Sequence, residues 1–118
     1  MPDKDQIEAW IEDALDHGNN SHSFEDIIQG VAQGRYQFWQ NDTCCVVTEV
    51  IDYPKRRVLH LFLAAGSMDG IRELEPEAVE WAKSIGCTAL TLAGRIGWTK
   101  RLKSDGWDYS LAMMEKGI

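Results

Sequence analysis

The chain has 118 residues, 44% of them hydrophobic, and a formal charge of −7 at pH 7. That length fits one packed core and no second, so residues 1–118 read as a single domain. The acidic balance argues against nucleic acid as a main ligand, since phosphate binding needs a basic surface; the chain has no run of 18 apolar residues that could span a membrane, and its acidic, polar start is unlike a signal peptide.

Cys44, Cys45 and Cys87 are odd in number. On an extended strand Cys44 and Cys45 point to opposite faces, which argues against a shared metal or an unstrained disulfide. They read as reduced thiols of a non-secreted protein, and no metal is expected.

In chain order, residues 5–16 place Ile7, Trp10, Ile11 and Leu15 at helical spacing with acids opposite. His17 to His22 is a polar loop whose histidines read as solvated. Ser23 with Asp26 three positions on is the capping-box pattern, and it opens a second helix expected to end near Gly34. From Tyr36 the period becomes strand-like. Segments 36–40, 43–51 and 57–65, separated by turns at Asn41-Asp42 and Asp52-Tyr-Pro-Lys55, predict an antiparallel meander. Residues 69–85 return to a helix, with Pro76 either in its first turn or at a kink. A strand over 87–93, a short basic helix over 96–104 and a last strand over 107–115 complete an α/β sandwich. Its mixed, twisted sheet is expected to have five to six strands, with Trp81 and Trp98 largely buried on the helices that face it.

The order of helix, strand 87–93, basic helix and Gly106-Trp107 resembles the C-terminal half of the GNAT superfamily of acyl-CoA N-acyltransferases, and the likeness extends over about residues 24–115, without the family's first strand. In that family a loop of pattern Arg/Gln-x-x-Gly-x-Gly/Ala and the helix after it hold the pyrophosphate of acyl-CoA through backbone N–H groups. The resemblance lays this loop on Ala65, Gly66, Ser67, Met68, Asp69 and Gly70, followed by Ile71 and Arg72. Only Gly70 matches, and Asp69 puts a carboxylate where diphosphate would sit. The family's next motif falls on Arg95 to Trp107, with Arg95 at its asparagine and Leu102 at the tyrosine that often protonates the departing thiolate. Leucine donates no proton. Tyr109, on the following segment, is a substitute donor in sequence only.

Gly94-Arg-x-Gly-Trp98, with Gly86-Cys87 before it and Gly106-Trp107 after, also looks like a compact GNAT-like family of tailed phages and prophages, some of whose members are internal virion proteins. The segments around Gly34 to Trp39 and Val47 to Pro54 fit the same likeness. It implies a protein of the bacterial host cytoplasm or of the virion, with other virion proteins or a second copy as partner. Acetyl-CoA would then be a weak ligand.

Glu49 and His60 are the candidate catalytic residues. Glu49 shares a strand face with Cys45, Val47 and Ile51, where desolvation would favour a base; a cross-strand ion pair is the structural alternative. His60 alternates with Val58 and Phe62, which suits a packed imidazole as well as a catalytic one. Arg95, Lys100, Arg101 and Lys103 give a basic helix suited to the adenosine phosphates of CoA, an acidic partner or a second subunit. Two functions follow: a GNAT-fold binding or virion-assembly component, or a working acetyl-CoA-dependent N-acetyltransferase.

Overall fold

The structure is a computed structural model that describes residues 3–17, 21–94 and 96–118. Helix α1 (Lys4–His17) and helix α2 (Phe24–Ala32) precede strands β1 (Tyr36–Gln40), β2 (Cys44–Tyr53) and β3 (Arg56–Gly66); helix α3 (Met68–Ser84), strand β4 (Ala89–Leu92), helix α4 (Ile96–Leu102) and a 3-10 turn (Lys103–Asp105) follow.

The α2 capping box forms as its residues imply. Asp26 N–H donates to Ser23 Oγ at 3.2 Å, and Ser23 N–H donates to Asp26 Oδ2 at 2.8 Å. The β1–β2 turn closes on Asn41, whose Oδ1 accepts the N–H groups of Thr43 and Cys44 at 3.0 Å each. Helix α3 begins after the N-cap Ser67 and is continuous through Pro76, so Pro76 lies inside the helix and not in its first turn.

The sheet has the order β1-β2-β3-β4, with the first three strands antiparallel and β4 parallel to β3. Cys45 lies in the layer under α1 and α2 with Ile11, Leu15, Ile27, Tyr36, Val47 and Leu63, while Cys44 lies under α3 with Val46, Ile71 and Leu74. The neighbouring thiols thus serve two separate cores, as strand alternation requires. Between Val47 and Thr48 the β2–β3 register shifts, leaving Phe62 as the extra residue of a bulge in β3.

Two expectations are corrected here. Among the described residues the sheet has four strands rather than five or six, because residues 107–118 form no strand. Their start is drawn off the sheet: Trp107 Nε1 donates to Glu75 Oε1 on α3 at 2.8 Å, and Tyr109 Oη lies 3.2 Å from Thr99 Oγ1 on α4. Trp81 and Trp98 are half-buried rather than largely buried, and Trp81 meets Trp39 edge-on with ring centroids 5.9 Å apart. No described helix is long and apolar enough to cross a membrane.

Candidate functional site

Strands β3 and β4 pair over only four residues, Val58↔Ala89 to Leu61↔Leu92. The bulge at Phe62 follows immediately, so residues 62–66 of β3 continue past the last ladder partner that β4 supplies. Where the two strands part, a cavity of about 470 Å³ opens, lined by His60, Phe62, Ala64, Leu92, Gly94 and Trp98 among others. The size and the mostly apolar lining suit an organic ligand.

His60 is placed at this cavity by its register. It stands opposite Thr91 on β4, and its Nδ1 lies 2.9 Å from Thr91 Oγ1. Burial lowers its pKa below the ordinary 6.5, opposed by the Glu49 carboxylate. The imidazole is therefore neutral at pH 7, and with Nδ1 engaged Nε2 is the nitrogen left for a ligand. Because the unfolded chain takes up this proton near pH 6.5 and the folded one resists it, the folded state loses stability as pH falls through 6.5. Urea midpoints measured from pH 7 to pH 5 should fall, and His60→Gln should flatten part of that fall.

Glu49 is the cross-strand partner of both Tyr36 and His60, but it does not line the cavity. Its Oε2 lies 3.6 Å from Arg35 Nε, with 27% of the side chain exposed. This is the ion-paired alternative rather than a carboxylate aimed into the cleft. Thiolate chemistry is remote from the cleft as well: burial pushes the Cys45 thiol up to about 12, with the Cys44 charge adding to the effect. Among the described residues no group of three or more His, Cys, Asp or Glu side chains could hold a metal ion.

The first turn of α3 carries the other candidate positions, and the Gly70 N–H and the charged side chains there already have internal partners. Ser67 Oγ accepts the Gly70 N–H at 3.0 Å and itself donates to Thr43 Oγ1 at 2.9 Å. Gly70 O accepts from Asn41 Nδ2 at 2.8 Å. Both glycines are closed in by the β1–β2 turn. A Cβ on Gly70 would come within 2.3 Å of Thr43 Oγ1, and one on Gly66 within 2.2 Å of the Thr43 carbonyl oxygen. Ala65 and Met68 are buried in the core, as is Ile71 in the layer under α3. Asp69 is 91% exposed at the mouth of the turn. Arg72 is held between two carboxylates: its Nε donates to Asp105 Oδ2 at 2.6 Å, and its Nη1 lies 3.6 Å from Asp69 Oδ1.

No protein-family model matches the chain, and no curated protein matches it. Solved structures do. An aminoglycoside acetyltransferase from an uncultured soil metagenomic sample superimposes with a TM-score of 0.66 at 8% identity, over 95% of this chain and 86% of that one. The aminoglycoside 6'-N-acetyltransferase of Acinetobacter haemolyticus gives 0.57 at 19% identity over 94% of each chain, and an acetyltransferase of Trypanosoma brucei gives 0.61 at 12% over 94% of each. The chain has the GNAT fold.

Two positions that the sequence resemblance assigns to proton transfer lie beside the parting of β3 and β4 or near it. Leu102, at the position of the usual proton donor, is buried and lines the cavity with an apolar side chain. Tyr109 is 60% exposed, lies under Lys103 Nζ at 5.3 Å and is not among the residues at the cavity. Arg95 lies outside the described residues. His17 carries solvent-facing contacts to Asp13, whereas His22 packs edge-on against Phe62 with centroids 4.9 Å apart and so is not simply solvated.

Sequence reasoning missed Thr91 and Thr43, and gave Asn41 only as a turn residue. Only the register of β3 against β4 brings Thr91 to His60. Ser67 as an N-cap was legible, since a serine three residues before Gly70 is the ordinary pattern at a helix start.

Proposed function

We propose that this GNAT-fold protein is a binding and assembly component that holds acyl-CoA weakly and does not turn it over efficiently. The observation that carries this reading is the first turn of α3, where the Ser67 hydroxyl takes a backbone N–H that an anion would need and where Asp69 and Asp105 outnumber the single guanidinium of Arg72. A diphosphate approaching this turn meets a net negative charge and one backbone donor fewer. The resemblance to phage and prophage proteins extends the same reading to virion assembly, with protein partners. The exposed apolar side chains of the C-terminal segment support an interacting surface.

A second reading, acetyl-CoA-dependent N-acetyl transfer, is favoured by the cavity where β3 and β4 part and by the neutral His60 beside it. In that reading the amine attacks the thioester carbonyl, His60 accepts the ammonium proton, and the thiolate leaves without protonation by Leu102. The two readings separate in a thioester-consumption assay with polyamine, aminoglycoside and peptide amines as acceptors. No acceptor-dependent release of CoA thiol is expected. Release that is saturable and lost in His60→Ala would establish the transferase.

A further inference from the structure

The register pairs His60↔Thr91 and Leu61↔Leu92 are the last before β3 and β4 part, and the first of them sets a hydroxyl against an imidazole. His60 lines the cavity and Thr91 does not, so Thr91 acts on a cavity ligand only through the ring. Thr91 Oγ1 lies 2.9 Å from His60 Nδ1, and among the described residues the hydroxyl has no other hydrogen-bond partner. Both side chains are half-buried, and the branched Cβ of a strand threonine restricts where Oγ1 turns.

One proton decides what this pair does, because a neutral imidazole has one N–H and one lone pair. With Nδ1–H donating to Oγ1, the Nε2 lone pair would face the cavity as a base, and the threonine hydrogen would find no acceptor in the described chain. With the hydroxyl donating to Nδ1, that hydrogen meets the strongest acceptor within its reach. The ring proton then sits on Nε2, the nitrogen that carries it in a neutral histidine side chain in water. Burial keeps the ring neutral, which this arrangement requires, since an imidazolium has no lone pair to accept the hydroxyl. The Glu49 carboxylate opposite His60 on β2 does not compete for either nitrogen: its Oε2 lies 3.6 Å from Arg35 Nε, and it makes no hydrogen bond to the ring.

We infer that Thr91 is a positioning residue whose hydroxyl donates to His60 Nδ1 and fixes the ring as the Nε2–H tautomer, so that His60 offers the cavity a hydrogen-bond donor and not a base. The complementary ligand group is an acceptor oxygen carried on an apolar body, as the mostly apolar lining requires. This deepens the binding reading and rests on it for its use. The tautomer is a property of the free protein, measured with no CoA present, so it and the acyl-CoA affinity fail separately.

The test is long-range proton–nitrogen correlation NMR of the imidazole rings of the full-length chain through a pH titration. Thr91→Val and Thr91→Ser are the variants, and His60→Gln assigns the His60 signals among the three histidines. The expected result is the Nε2–H form of His60 above its titration midpoint, read on the unmodified protein. That midpoint should rise in Thr91→Val, because the lost hydroxyl bond held only the neutral ring, and should stay in place in Thr91→Ser. A donating Nδ1–H would give the opposite sign, since an imidazolium holds such a bond more strongly than the neutral ring does. The other charged or titratable groups about the ring are Glu49, with Arg35 beyond it, and His17 and Glu115 at the cavity; all are the same in both variants. An Nδ1–H tautomer in the unmodified protein, or a midpoint that falls or does not move in Thr91→Val, would overturn the inference.

Discussion

Alanine in place of Gly66 is expected to lower the unfolding free energy by about 3 kcal/mol or more. Two costs act together. The backbone at Gly66 has φ +101, a left-handed conformation that a side chain resists. A Cβ there would also stand 2.2 Å from the Thr43 carbonyl oxygen and 2.6 Å from the Cys44 Cα. Those atoms are backbone, and the Thr43 carbonyl is held by the Ser67 N–H at 2.9 Å, so the neighbour cannot yield without losing that bond. Gly94, at the cavity, is the control: its Cβ would meet only Leu92 Cδ1 at 3.3 Å, and the same substitution should change the urea midpoint little. A Gly66→Ala loss below about 1 kcal/mol would mean that the turn relaxes, and that this glycine is present for a ligand and not for the close approach of β2.

The second large effect is electrostatic. Replacing Asp69 and Asp105 together by asparagine should strengthen acetyl-CoA binding by about tenfold, close to 1.4 kcal/mol. The two carboxylates contribute unequally. Asp69 is almost fully exposed and screened, so its removal alone should matter little. Asp105 is 30% exposed and holds Arg72 at 2.6 Å, so its removal releases a guanidinium at the N-terminal turn of α3, where a phosphate would meet it. The Ser67 cap is untouched in this variant, and the gain is therefore limited to charge.

How much of this was legible in the sequence depended on whether a feature is local. The capping box at Ser23 and Asp26, the Asn41 turn and the split of Cys44 and Cys45 between two faces each follow from a few adjacent residues, and each formed. The meander and the return of β4 parallel to β3 also followed from period and connection length. Features that need a distant partner did not follow. Tyr109, Leu111 and Met113 have the alternation of a strand, but alternation specifies a conformation and not an edge to pair with, and the expected strand over 107–115 is absent. Glu49 is read from its strand face, while Arg35, which lies just before β1, stands 3.6 Å from its carboxylate, a contact the strand pattern alone does not give. The loop after β3 reads as a damaged phosphate cradle; that its glycines also accommodate the Asn41 to Thr43 turn is a contact across more than twenty residues that no local motif encodes.

Calorimetric titration of acetyl-CoA into the unmodified protein and into Asp69→Asn/Asp105→Asn tests the central claim, that the α3 turn is occupied by the chain's own groups, most directly. A dissociation constant of about 100 μM or weaker for the unmodified protein, tightening about tenfold in the variant, is the predicted result. A low-micromolar constant for the unmodified protein, unchanged by the two substitutions, would contradict it.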